Sequence, residues 1–79
     1  MNSNVRIVLE VAANCSAMKR AGGGLYKPFR SKLRGASIGL PSRAIYHLVD
    51  GGMMAWVNNC HSAAVITEAG RAALAAAAQ

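Results

Sequence analysis

Residues 41–74, PSRAIYHLVDGGMMAWVNNCHSAAVITEAGRAAL, decide how this chain is read. Pro41 can open a helix of about ten residues, because its fixed φ suits the first turn. Ile45, Leu48 and Val49 form that helix's inner face, with Arg43, His47 and Asp50 opposite and Tyr46 on the flank. Gly51-Gly52 ends it. Met53 to Val57 then reads as a strand with Trp56 as its large apolar side chain, and Ala63 to Ile66 as its returning partner. Between them, Asn58 to Ser62 is rich in turn formers. Thr67 is a good helix cap, and Glu68 suits the positive end of the helix that follows.

Upstream, the spacing predicts a helix over residues 4–20. Val5, Val8, Leu9, Ala12 and Cys15 recur at intervals of three and four, and Ile7, Val11 and Met18 widen the apolar arc. Gly22-Gly23-Gly24 reads as a connector, since the Lys and Ser/Thr of a phosphate loop do not follow it. Residues 27–34 are expected to form a second helix, with Leu25, Phe29 and Leu33 facing the core and Lys27, Arg30 and Arg34 making a cationic stripe. Ile38 and Leu40 would anchor the link to the third helix.

The chain has 79 residues and is expected to form a single domain over 1–79, frayed at 1–3 and 75–79. Apolar residues make up 53% of it, enough for globular folding, but alanine dominates and buries little area. A homodimer would enlarge so small a core. No apolar run reaches the roughly 18 residues of a membrane span, and Arg6 and Glu10 interrupt anything resembling a signal peptide. The expectation is a cytoplasmic protein with no membrane partner. Cys15 and Cys60 then read as free thiols.

Net charge is +6, and its placement matters more than its size. Lys19, Arg20, Lys27, Arg30, Lys32, Arg34 and Arg43 fall in a segment with no acid, bounded by Glu10 and Asp50. A stretch of one sign attracts polyanions. Catalysis has little to work with, because three carboxylates lie far apart in the chain. A zinc site from Cys15, His47, Cys60 and His61 lacks a close Cys-x-x-Cys pair, so no cofactor or metal is expected.

Two motifs carry a resemblance. Ala44 to Met54 (AIYHLVDGGMM) looks like the end of a recognition helix. Val65 to Leu74 (VITEAGRAAL) looks like a second wing strand running into a capped helix. Their order and spacing resemble the winged helix-turn-helix DNA-binding proteins of bacteria and phages. The resemblance implies a mainly α fold with a small β-hairpin, in the order helix-helix-helix-strand-strand-helix. It also implies a small transcriptional regulator that contacts duplex DNA.

On that reading Arg43 reads guanine in the major groove, and Ser42, Tyr46 and His47 contact bases or phosphates. Lys27, Arg30, Lys32 and Arg34 lie over the backbone. Asn58, Asn59 and His61 form an uncharged wing. Five or six phosphate contacts would give a salt slope of roughly −5. The alternative is a small phage-type inhibitor or adaptor, anti-CRISPR-like or anti-repressor-like, that binds a protein or ribonucleoprotein.

Overall fold

The computed structural model describes residues 3–32 and 39–77. Its elements are α1 (Ser3–Ala13), β1 (Ala17–Ala21), β2 (Leu25–Phe29), β3 (Leu40–Pro41), α2 (Ser42–Asp50), β4 (Met54–Val57), β5 (Cys60–Ile66) and α3 (Glu68–Ala77). The strands form a five-stranded antiparallel sheet in the order β3-β2-β1-β5-β4. The expected helix-helix-helix-strand-strand-helix order is therefore wrong. The chain runs helix, hairpin, short strand, helix, hairpin, helix, and this is not a winged helix-turn-helix.

The error lies in residues 14–29. The first helix stops at Ala13, seven residues before the expected end at 20. Asn14 turns back on it: its backbone N–H donates to the Val11 carbonyl at 3.2 Å and its side-chain amide to the Glu10 carbonyl at 2.8 Å. The Cys15 thiol likewise reaches the Ala12 carbonyl at 3.5 Å. Such short polar side chains offer the backbone an alternative to further helix. Ala17 to Ala21 is then a strand, with Met18 buried and Lys19 and Arg20 exposed.

Gly22 to Gly24 is the turn of a β-hairpin. Gly23 and Gly24 have φ of 77° and 71°, a region that glycine enters without penalty. The expected second helix over 27–34 is replaced by β2, whose Leu25 pairs with Ala21 and whose Phe29 pairs with Ala17. Pro28 fits because β3 pairs only with Leu25 and Tyr26. Among the described residues, that end of β2 has a neighbour on one side only, where a missing N–H is tolerated. Leu33, Arg34 and Ile38 lie outside the described residues.

The second half follows the sequence. α2 begins at Ser42, directly after Pro41. Val57 pairs with Cys60 across a two-residue turn in which Asn58 and Asn59 have φ of 55° and 56°. Two consecutive positive φ values mark the turn that matches strand twist, and Asn tolerates it. β5 is longer than expected, starting at Cys60 rather than Ala63. The Gly70 N–H donates to the Thr67 hydroxyl at 3.1 Å, so Thr67 caps α3 as expected.

Among the described residues, all core packing lies on one side of the sheet. Val8, Leu9, Val11 and Ala12 of α1 and Ile45 and Leu48 of α2 cluster with Met18, Tyr26, Leu40, Met54 and Ala64 from the strands. Trp56, Ile66 and Leu74 pack against that cluster half-buried. α3 approaches the sheet closely at Gly70, where a Cβ would meet the Met53 carbonyl oxygen at 2.2 Å. Among the described residues, no helix is long and apolar enough to cross a membrane.

Candidate nucleic-acid interface

Side chains alternate across a strand, so the register sorts them by face. Met18 and Arg20 share the core side with Tyr26 and Pro28. Ala17, Lys19 and Ala21 point the other way, opposite Phe29, Lys27 and Leu25. β5 and β4 continue this second face through Ala63, Val65 and Ala55. None of these second-face residues joins the core or packs against it. Among the described residues, one face of the sheet is thus covered by helices and the other is open.

Lys19 and Lys27 lie directly opposite each other on that open face. Opposed like charges weaken a strand pair. Glu10 is on α1, Asp50 ends α2 and Glu68 begins α3, so no carboxylate lies on the hairpin to offset them. Beside them, Phe29 is 40% exposed. The Lys19 ammonium sits 3.8 Å from the Phe29 ring centroid, and the Arg30 guanidinium carbon lies 5.3 Å from it. Both are within the range of a cation–π contact. Arg30 reaches this position from a left-handed backbone, φ 54°, which is unusual for a residue with a side chain.

The residues expected on a recognition helix are placed differently. Arg43 and His47 line a groove of about 380 Å³ between α2 and α1, together with Asn4, Val5, Val8, Ala44 and Leu48. That groove belongs to the helical layer, so Arg43 does not join Lys19 and Lys27. Ser42 is occupied: its hydroxyl donates to the Gly24 carbonyl at 2.7 Å and its N–H to the same oxygen at 2.9 Å. This ties the start of α2 to the first hairpin turn.

Tyr46 packs edge-on against Trp56, centroids 5.2 Å apart at 87°. His61 meets the same indole at 4.7 Å and 76°. The rings are too close for a ligand to enter between them, and the cluster fastens α2 to the second hairpin. Trp56 is half-buried there. The expected wing residues Asn58 and Asn59 make the turn. His61 is exposed, and its backbone carbonyl accepts a hydrogen bond from Tyr26.

Of the remaining expected contacts, Lys27 and Arg30 belong to the open face or its rim. Lys32 is exposed beyond β2, with its N–H donating to the Asn14 carbonyl at 2.6 Å. Arg34 lies outside the described residues. Two contributors were missed in the sequence. Lys19 was read as helical, and Phe29 as a core residue. The signal that could have found them is the period-two pattern of Lys27 and Phe29 about Pro28, directly after three glycines.

The thiols differ in character. Burial pushes the Cys15 thiol up from its ordinary value, partly opposed by the backbone at Phe29 and Ala17. A hydrogen bond with Ser62 draws exposed Cys60 down. Neither has a ligand-forming neighbourhood: among the described residues, no group of three or more His, Cys, Asp or Glu side chains comes together. No protein-family model, curated protein or solved structure matches the chain.

Proposed function

We propose that this is a non-enzymatic nucleic-acid-binding protein of the cytoplasm, and that it binds through the open face of its sheet. The observation that carries the reading is the Lys19–Lys27 pair, set in direct opposition on a surface that, among the described residues, no helix covers. A like-charge pair costs stability in the isolated protein and favours a polyanion laid across it. Arg30 and Lys32 extend the positive charge at the end of β2. A second copy of the chain is a poor occupant, because stacking two such faces would bring the lysines together.

Fluorescence anisotropy with labelled mixed-sequence oligonucleotides tests this. Contacts from three or four of these cations predict a log–log salt slope of about −2 to −3. The double variant Lys19→Ala/Lys27→Ala should bind about tenfold or more weakly at 50 mM salt. It should melt no lower than the parent protein, since it removes a repulsion. Undetectable binding by the parent at low salt would overturn the proposal.

A further inference from the structure

We infer that the strand taken by this open face is single, with a base stacked on Phe29 and its phosphates on Lys19 and Lys27. The inference rests on the nucleic-acid reading above and narrows it to a substrate class.

A duplex major groove admits a helix or a free two-stranded ribbon. The β1–β2 hairpin is no free ribbon, because β1 is also paired with β5 along Met18 and Lys19. Its turn is three glycines, which bring neither charge nor reach. What the face does offer is one partly exposed aromatic ring, Phe29, with small residues next to it. Ala17 lies opposite Phe29 and Ala63 opposite Lys19. A paired and stacked base cannot lay its flat side on such a surface, whereas an unpaired one can.

Charge and ring are also correctly spaced. Lys27 and Phe29 are two residues apart on one strand face, about 7 Å along the strand. Lys19 is the partner of Lys27 and contacts Phe29 as well, so cations flank the ring. The pattern is a positive track with an aromatic step, which suits single strands of many sequences, because every base has a flat face to stack.

The experiment compares one labelled sequence as a single strand and as a duplex, each against the parent protein, Phe29→Leu and Phe29→Tyr. The single strand should bind more tightly than the duplex. Phe29→Leu, which keeps apolar area but loses the ring, should weaken single-strand binding by about tenfold. It should weaken duplex binding less than single-strand binding, and Phe29→Tyr should restore the single-strand affinity. Trp56 packs on the opposite face, so unchanged indole fluorescence in the variants verifies the fold independently of binding. Equal or tighter duplex binding, or a Phe29→Leu variant that binds single strands normally, would overturn this inference and leave nucleic-acid binding standing. Failure of the parent protein to bind either form would overturn both.

Discussion

Tyr26 shows what one side chain does for this fold. It is fully buried, yet its hydroxyl reaches across the sheet to donate to the His61 carbonyl, joining the two hairpins. Its ring lies 6.1 Å from that of Trp56. Burial raises its phenol above the ordinary value, helped by the Tyr46 hydroxyl beside it and opposed by Arg20. The protonated form is thus favoured in the folded state. Its contribution is complete below the unfolded-state value of about 10 and is lost as pH rises through the higher folded one. Tyr26→Phe should cost about 1 to 2 kcal/mol at pH 7 in urea unfolding. The gap between parent and variant should narrow above about pH 10. A gap that widens with pH would contradict this account of the hydroxyl. The sequence reading assigned Tyr26 no role, and its cross-sheet bond joins positions 35 apart in the chain, beyond the reach of local pattern.

Among the elements, those with explicit punctuation were readable. α2 lies between Pro41 and Gly51, and the second hairpin turns on Asn58 and Asn59. α3 starts on a cap with two tasks: the Thr67 hydroxyl accepts from the Gly70 N–H and donates to the Gly52 carbonyl at 2.7 Å. Thr67→Ala removes both bonds and should lower stability by about 1 to 2 kcal/mol, seen as a lower thermal midpoint. Thr67→Ser should recover most of the loss. A Thr67→Ala protein as stable as the parent would show that the cap carries no weight. The first hairpin was not readable. Met18 fits the 3.6-residue period begun at Val5, and it equally fits alternation with Lys19. Leu25 and Phe29, four apart, share a helix face as well as a strand face. Periodicity over so few residues cannot separate the two, and only pairing with β5 decides it.

At the scale of the molecule, the two layers separate charges that the sequence holds together. Arg43 follows the basic hairpin closely in the chain, and it lies in the helical layer against α1. If the open face is the binding surface, Arg43→Ala should change oligonucleotide affinity less than about twofold, while Lys19→Ala/Lys27→Ala lowers it about tenfold. The reverse order, measured in the same anisotropy titration, would move the site to the helices. By itself the sequence determined the positive charge, the Gly51-Gly52 stop and the asparagine turn, α2 and the second hairpin, and the cap at Thr67. These depend on the conformational limits of individual residues and on composition, so neighbours a few positions away suffice. Only the tertiary structure decided that residues 17–29 are strands, that Phe29 faces outward, and that Lys19 and Lys27 oppose each other. Strand pairing is a contact between distant segments, and the face a strand presents is set by which side the helices cover.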